Sequence, residues 1–190
     1  MIKSGVAATT FPGYKMNNPG ARDRTGLSAL EAESFSDNIV DSLERVLSPR
    51  VERPLDVEYA KKAWQLVRGS ANNPGEMLAE MVLFFEDYPE YTPVDLLIKG
   101  AGPQMTYLTF LEIIKLIETR ELAAESLERA VSELADDLKI DPETLTASIR
   151  VAIVGRNSTL PLFAAMELLG EKRLRDRICD AMRSLTNLHR

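Results

Sequence analysis

Asn73-Pro74, Thr92-Pro93 and Asp141-Pro142 each set a proline directly behind a residue able to cap a helix. Proline at the first helical position gives up an N–H that has no intrahelical partner anyway. The Asn, Thr or Asp before it offers a side-chain oxygen to the free amides of the first turn. The punctuation therefore predicts helices that begin at proline. One runs from Pro74 with Glu76 at N3 and Met77, Leu78, Met81, Val82, Phe84 and Phe85 following, one from Pro93 to Gly100, and one from Pro142 to Gly155. Glycine at such an exit suits the left-handed residue that ends many helices.

The remaining segments follow the same grammar. Ser28-Ala29-Leu30-Glu31 has capping-box spacing, and Phe35, Ile39, Leu43, Val46 and Leu47 form one apolar face down to Ser48-Pro49. Asp56 opens a helix carrying Tyr59, Ala60, Ala63, Trp64 and Val67, which stops at Arg68-Gly69-Ser70. From Pro103 to Glu118 the apolar set Tyr107, Leu108, Leu111, Ile114, Leu116 and Ile117 wraps much of a helix, which marks it as central. Leu122 to Leu138 is amphipathic, with Leu127, Val131, Leu134 and Leu138 in line, and a last helix from Glu171 to Leu185 buries Leu174, Ile178, Ala181, Met182 and Leu185. No stretch alternates with period two for long enough to make a strand. The expected fold is all-α: a flexible tail over 1–27, rich in Gly, Pro, Asn and Thr, then helical subdomains at 28–100 and 101–190 meeting near Gly100-Ala101-Gly102-Pro103.

At 190 residues, 45% hydrophobic and 27% charged, the chain can bury a core, and no apolar run approaches the ~20 residues needed to span a bilayer. The single cysteine, Cys179, excludes an internal disulfide, reads as a half-buried structural thiol, and makes the cytoplasm the expected compartment. His189 is the only histidine and lies at the end of the chain, so neither a zinc cluster nor a nucleophile with a histidine base can be assembled. Phosphate-loop signatures are absent. Tyr14-Lys15-Met16-Asn17 only faintly echoes the K-M-S-K-S signature of class I synthetases, and its companion H-I-G-H is missing. The reading is of a protein without catalytic residues, metal or cofactor.

Net charge is −6, but it is unevenly spread. Residues 101–149 carry four basic and ten acidic side chains, whereas 150–190 carry eight basic and four acidic. Attraction for phosphate follows local Lys and Arg density rather than the chain total. An acidic protein with a basic end is compatible with RNA.

The basic end contains Ser148-Ile149-Arg150-Val151-Ala152-Ile153-Val154-Gly155, then Thr159-Leu160-Pro161-Leu162-Phe163, then Leu168-Leu169-Gly170-Glu171-Lys172-Arg173. This run resembles the end of the anticodon-binding domain of bacterial glutamyl-tRNA synthetases: L-R-x-A-L-T-G, a small residue with P-x-L-F, then L-G-K-E-R. The resemblance extends over Ser36 to Leu185, with Met77-Leu78-Ala79-Glu80-Met81 similar to the family's T-L-x-E-L and Phe84-Phe85 to its aromatic pair. It implies a helical cage that binds tRNA, tRNA-Glu in the family, with Arg150, Thr159 and Leu162 at the anticodon and Arg156, Lys172 and Arg173 neutralising phosphates. An arginine guanidinium can stack on or hydrogen-bond an unstacked base, and a helix start such as Thr159 offers free amides. The family's arginine ahead of T-L-x-E-L falls on Ala71 in an ungapped match, and Arg68 takes its place only with a shift.

The chain has no room for a nucleotide-binding catalytic domain. The implied function is a free-standing tRNA-binding domain, or one acting in trans with a separate catalytic subunit. The displaced arginine and the net charge suit an alternative: a non-catalytic scaffold within a larger protein assembly that kept the fold and lost tRNA recognition.

Overall fold

Asp56, Asn73 and Asp141 meet the amides they were expected to meet. In the computed structural model, which describes residues 37–188 except Asn72 and Asn157, the elements are α1 (Asp37–Val46), α2 (Val57–Val67), α3 (Pro74–Val82), a 3-10 turn (Pro93–Leu96), α4 (Pro103–Thr119), α5 (Ala124–Leu138), α6 (Pro142–Val154) and α7 (Leu162–Asn187). Asp56 Oδ1 accepts from the amides of Glu58 and Tyr59 at 2.9 and 3.1 Å, and Asn73 Oδ1 from that of Glu76 at 3.0 Å. Asp141 Oδ2 accepts both the amide and the hydroxyl of Thr144 at 2.8 Å. The described residues contain no strand, so the all-α expectation holds for them. The Ser28 capping box, Phe35, the 1–27 tail and His189 lie outside the described residues.

The helix expected from Pro93 to Gly100 does not form; only the four-residue 3-10 turn does, and Thr92 makes no side-chain cap. Tertiary packing explains the difference. Leu96 and Ile98 are both buried, and Leu97 between them is extended (φ −65°, ψ 128°), so alternate side chains point inward. The backbone groups this leaves unpaired are taken up from elsewhere: Ser148 Oγ donates to the Leu96 carbonyl at 2.6 Å, and the Ile98 amide donates to Thr106 Oγ1 at 3.2 Å.

The inward stripe of α4 is Thr106, Thr109, Phe110, Ile113 and Ile117. Of the apolar set named from sequence only Ile117 is fully buried, and Leu108 is 49% exposed. Helices α2, α4, α5 and α6 and the 3-10 turn all pack against α7, α4 most extensively, so α7 is the axis of the bundle. One apolar cluster runs from Ile39 to Leu185, continuous across Gly100–Pro103.

Two glycines carry backbone that other residues resist. Gly155 ends α6 at φ +85°, and a Cβ there would sit 2.5 Å from the Glu90 carbonyl oxygen, so both conformation and space require glycine. Gly170 interrupts α7 at φ 74°, ψ 165°, a region nearly restricted to glycine, just ahead of the expected helix start at Glu171. Lys139 closes α5 at φ 55°, ψ 38° without that freedom. The Ile140 amide reaches the Ala135 carbonyl at 2.9 Å to complete the cap.

On α7, Arg177 is 1% exposed and donates to four carbonyls: Asp87 through Nε (3.1 Å), Ile153 through one terminal nitrogen (2.5 Å), Leu83 (2.5 Å) and Glu86 (2.7 Å) through the other. It thus ties the exit of α3 and the end of α6 to the axis. Burial, aided by the nearby Arg173 charge, pulls its pKa down to about 10, which leaves it cationic at neutral pH. Tyr91 adds a second tie from the same linker, its hydroxyl bonding Asp180 Oδ2 at 2.6 Å.

Candidate nucleic-acid interface

Helix α6 ends at Gly155, and α7 starts at Leu162 because Pro161 precedes it; the loop between them is fixed to the opposite side of the bundle. Thr159 Oγ1 donates to the Ser70 carbonyl at 3.0 Å, on the turn that leaves α2. Ser158 Oγ and Ser70 Oγ both donate to Glu80 of α3, at 3.0 and 2.6 Å to its two oxygens. Ser158 Oγ also accepts the Leu160 amide at 3.1 Å. A carboxylate with 7% exposure therefore joins two segments 78 and 10 residues away. Because each of its oxygens has a hydroxyl donor, the buried charge is compensated.

This latch sets the loop that carries Arg156 and Thr159 against the turn that follows Arg68, and all three residues are exposed; we call this the Thr159 edge. Arg68 caps α2, with its amide on the Trp64 carbonyl, and Arg156 follows Gly155. Neither guanidinium has an ion pair within 4.0 Å among the described residues. Arg150 stands beside them half-buried, donating to the Leu160 carbonyl at 2.5 Å instead of pairing with Glu143, and burial lowers its pKa. Through that bond it shapes the loop.

The other residues expected at the site are placed differently. Leu162 is 3% exposed and belongs to the core, because the first turn of α7 must cover the end of α6. Its side chain is therefore not presented to the outside. Arg173 donates to Tyr59 Oη at 3.0 Å and to the Phe84 carbonyl, with its guanidinium 5.5 Å from the Tyr59 ring centre. Tyr59 meets Phe85 edge to face at 5.5 Å, and burial raises its own pKa. Lys172 is a surface residue, 86% exposed and paired with Asp176 at 3.1 Å. Tyr59 and Arg68 lie nine residues apart near opposite ends of α2, a distance of about 14 Å, so Arg173 is remote from the Thr159 edge.

Glu80, read from sequence only as the acid of the segment similar to T-L-x-E-L, is the buried carboxylate that holds this loop, a role the sequence analysis did not give it. Its signal was an acid inside the apolar run Met77 to Val82, where only a partnered carboxylate is tolerated.

A family model described as the anticodon binding domain matches residues 37–182. Glutamate–tRNA ligase 1 of Syntrophomonas wolfei is 25% identical over 177 residues, 90% of this chain and 36% of that protein. Glutamate–tRNA ligase 2 of Caldicellulosiruptor saccharolyticus is 35% identical over 133 residues, 67% of this chain and 26% of its own length. The fold is shared with a glutamate tRNA ligase from Elizabethkingia meningosepticum solved with its amino acid, at a TM-score of 0.62 and 21% identity over 77% of this chain and 29% of that one. The chain spans about a third of the length of these curated relatives, and the matches fall on their anticodon-binding part and not on the catalytic one. With helices, caps and family match in agreement over 37–182, the chain belongs to the anticodon binding domain family represented in glutamate–tRNA ligases.

Proposed function

We propose that this protein binds tRNA at the edge formed by Arg68, Arg150, Arg156 and Thr159, without catalysis of its own, in the cytoplasm and in trans with a separate catalytic subunit. The observation that carries the reading is the Glu80 latch, which sets the Thr159 loop beside the α2 exit and leaves Arg68 and Arg156 exposed without acidic partners. A mobile loop would lose much of its binding energy to ordering, and a latched one loses less. Phosphate contacts from the two free arginines set register, while Arg150 and the loop backbone meet splayed bases. tRNA-Glu is the tRNA to try first, since the relatives are named for glutamate.

Titration of labelled tRNA-Glu and of an unrelated tRNA, at low and moderate salt, tests this. Binding that weakens steeply with salt, and about tenfold in the double variant Arg68→Ala/Arg156→Ala, supports it. Absence of binding at low salt, or equal binding of any RNA with no effect of Arg150→Ala, ends it.

A second reading is favoured by the internal roles of Arg173 and Leu162, which reduce the side chains available to RNA. In that reading the domain is a scaffold. A pull-down with and without nuclease separates the two, because a scaffold keeps its partners when RNA is destroyed.

A further inference from the structure

Beside the Thr159 edge, a groove of about 440 Å³ lies between the 3-10 turn and the outward side of α6. Its floor includes Thr144, Ala147, Val151 and Gly155, positions that recur at helical spacing. Along α6 that stretch measures about 16 Å. A cation stands at each end. Arg156 follows Gly155, and Lys99 lies toward the start of the helix, where its charge helps to hold the Asp141 carboxyl below its ordinary value.

Both cations are exposed, and neither has an ion pair within 4.0 Å among the described residues. Lys61, Lys115 and Lys172, by contrast, each hold a carboxylate one helical turn away, at 2.7, 2.7 and 3.1 Å. Among the described residues Asp95 is the one acid lining the groove.

We propose that this groove seats the sugar–phosphate backbone of the RNA strand continuing from the Thr159 loop, with Lys99 as a phosphate contact. The proposal rests on the tRNA-binding reading. Arg156 belongs to both the edge and the groove, so the two surfaces are continuous. Small side chains along the floor let a strand lie close, and the separated cations match a repeating charge better than the single carboxylate of a small ligand. Among the described residues no aromatic side chain lines the groove, so in this proposal bases are not stacked here and contact is independent of sequence. Asp95 opposes the strand electrostatically.

The test is tRNA affinity as a function of salt for Lys99→Ala, Lys99→Arg, Asp95→Asn and Arg156→Ala, with thermal melting to verify the fold. Lys99→Ala is expected to weaken low-salt binding about three- to tenfold and to lower the salt slope by roughly one, while Lys99→Arg restores both. Asp95→Asn is expected to tighten binding about twofold as a repelling charge disappears. If Lys99→Ala binds with wild-type affinity and slope while Arg156→Ala weakens binding, the groove is overturned and the Thr159 edge stands. If the wild-type protein fails to bind tRNA at low salt, both fall. A poly-glutamate peptide that binds as tightly as tRNA through Lys99 overturns RNA as the occupant.

Discussion

Arginine is used in two opposite ways in this domain. At the Thr159 edge Arg68 and Arg156 are exposed and have no ion pair among the described residues; around the exit of α3, Arg173 and Arg177 are consumed by backbone carbonyls and a tyrosine. Charge counting along the chain treats all four alike. What separates them is the supply of unpaired acceptors: the exit of α3 ends in turns whose carbonyls at Leu83, Phe84, Glu86 and Asp87 need donors. A planar guanidinium with five N–H groups can serve several of them at once, and lysine cannot. The basic end is therefore partly exposed charge and partly internal scaffolding.

The largest effect should come from Arg177→Met. It keeps volume but strands four carbonyls, and we expect a loss of about 3–5 kcal/mol in urea unfolding. Arg68→Ala should leave stability within about 0.5 kcal/mol while weakening RNA binding. If Arg177→Met proves as stable as the wild type, the division into scaffold and surface arginines is wrong.

Next in size is Glu80→Ala, which frees the hydroxyls of Ser70 and Ser158 together. A loss of about 1.5–3 kcal/mol is expected, with weaker RNA binding beyond that of a merely less stable protein. Glu80→Gln keeps acceptor capacity at one oxygen and should fall between. Comparing tRNA affinity at a temperature where all variants are fully folded sharpens the comparison: unchanged affinity would show that the latch serves stability alone.

How legible this was from sequence depends on the range of the interaction. Caps at Asp56, Asn73 and Asp141 and the exit at Gly155 are local, within four residues, and the chain spells them out. The 93–100 segment could not be read this way, because its extended backbone is held by Ser148, 52 residues from its acceptor. Arg173 and Arg177 look like surface charge until the 83–87 turns are placed beside α7. A hint was present: Arg177 falls within the apolar stripe of Leu174, Ile178, Ala181 and Leu185. The half-buried Cys179 matches its expectation for the same local reason, its position beside that stripe.

A smaller effect is expected at Lys139, which sits in left-handed backbone. Lys139→Gly should raise stability by up to about 1 kcal/mol by removing the Cβ strain. The groove and the edge lie on other elements, so RNA affinity should not move; a change in affinity would mean that the α5–α6 turn reaches the RNA.

The smallest effect concerns acid. Asp141 is exposed, and its carboxyl is held below the ordinary value of 3.8, first by the Thr144 hydroxyl, then by the Thr144 amide, with Lys99 adding a minor attraction. A carboxyl with a lowered folded-state pKa binds its proton less readily when folded than when unfolded. Its stabilisation is therefore complete above 3.8 and is lost as pH falls through the lower, folded-state value. Protonation uncaps α6, whose far end carries Arg150 and the Thr159 loop, whereas the carbonyls bound by Arg177 do not titrate. Amide exchange below pH 4 should thus quicken at Leu145 and its neighbours in the first turn of α6 before it does around Arg177 in α7. Asp141→Asn, which retains an acceptor for the Thr144 amide, should remove the pH step and leave the α7 amides as they were. If α7 loosens first, acid is acting on some group other than this cap, and the contrast between a titratable α6 cap and a non-titrating arginine core fails.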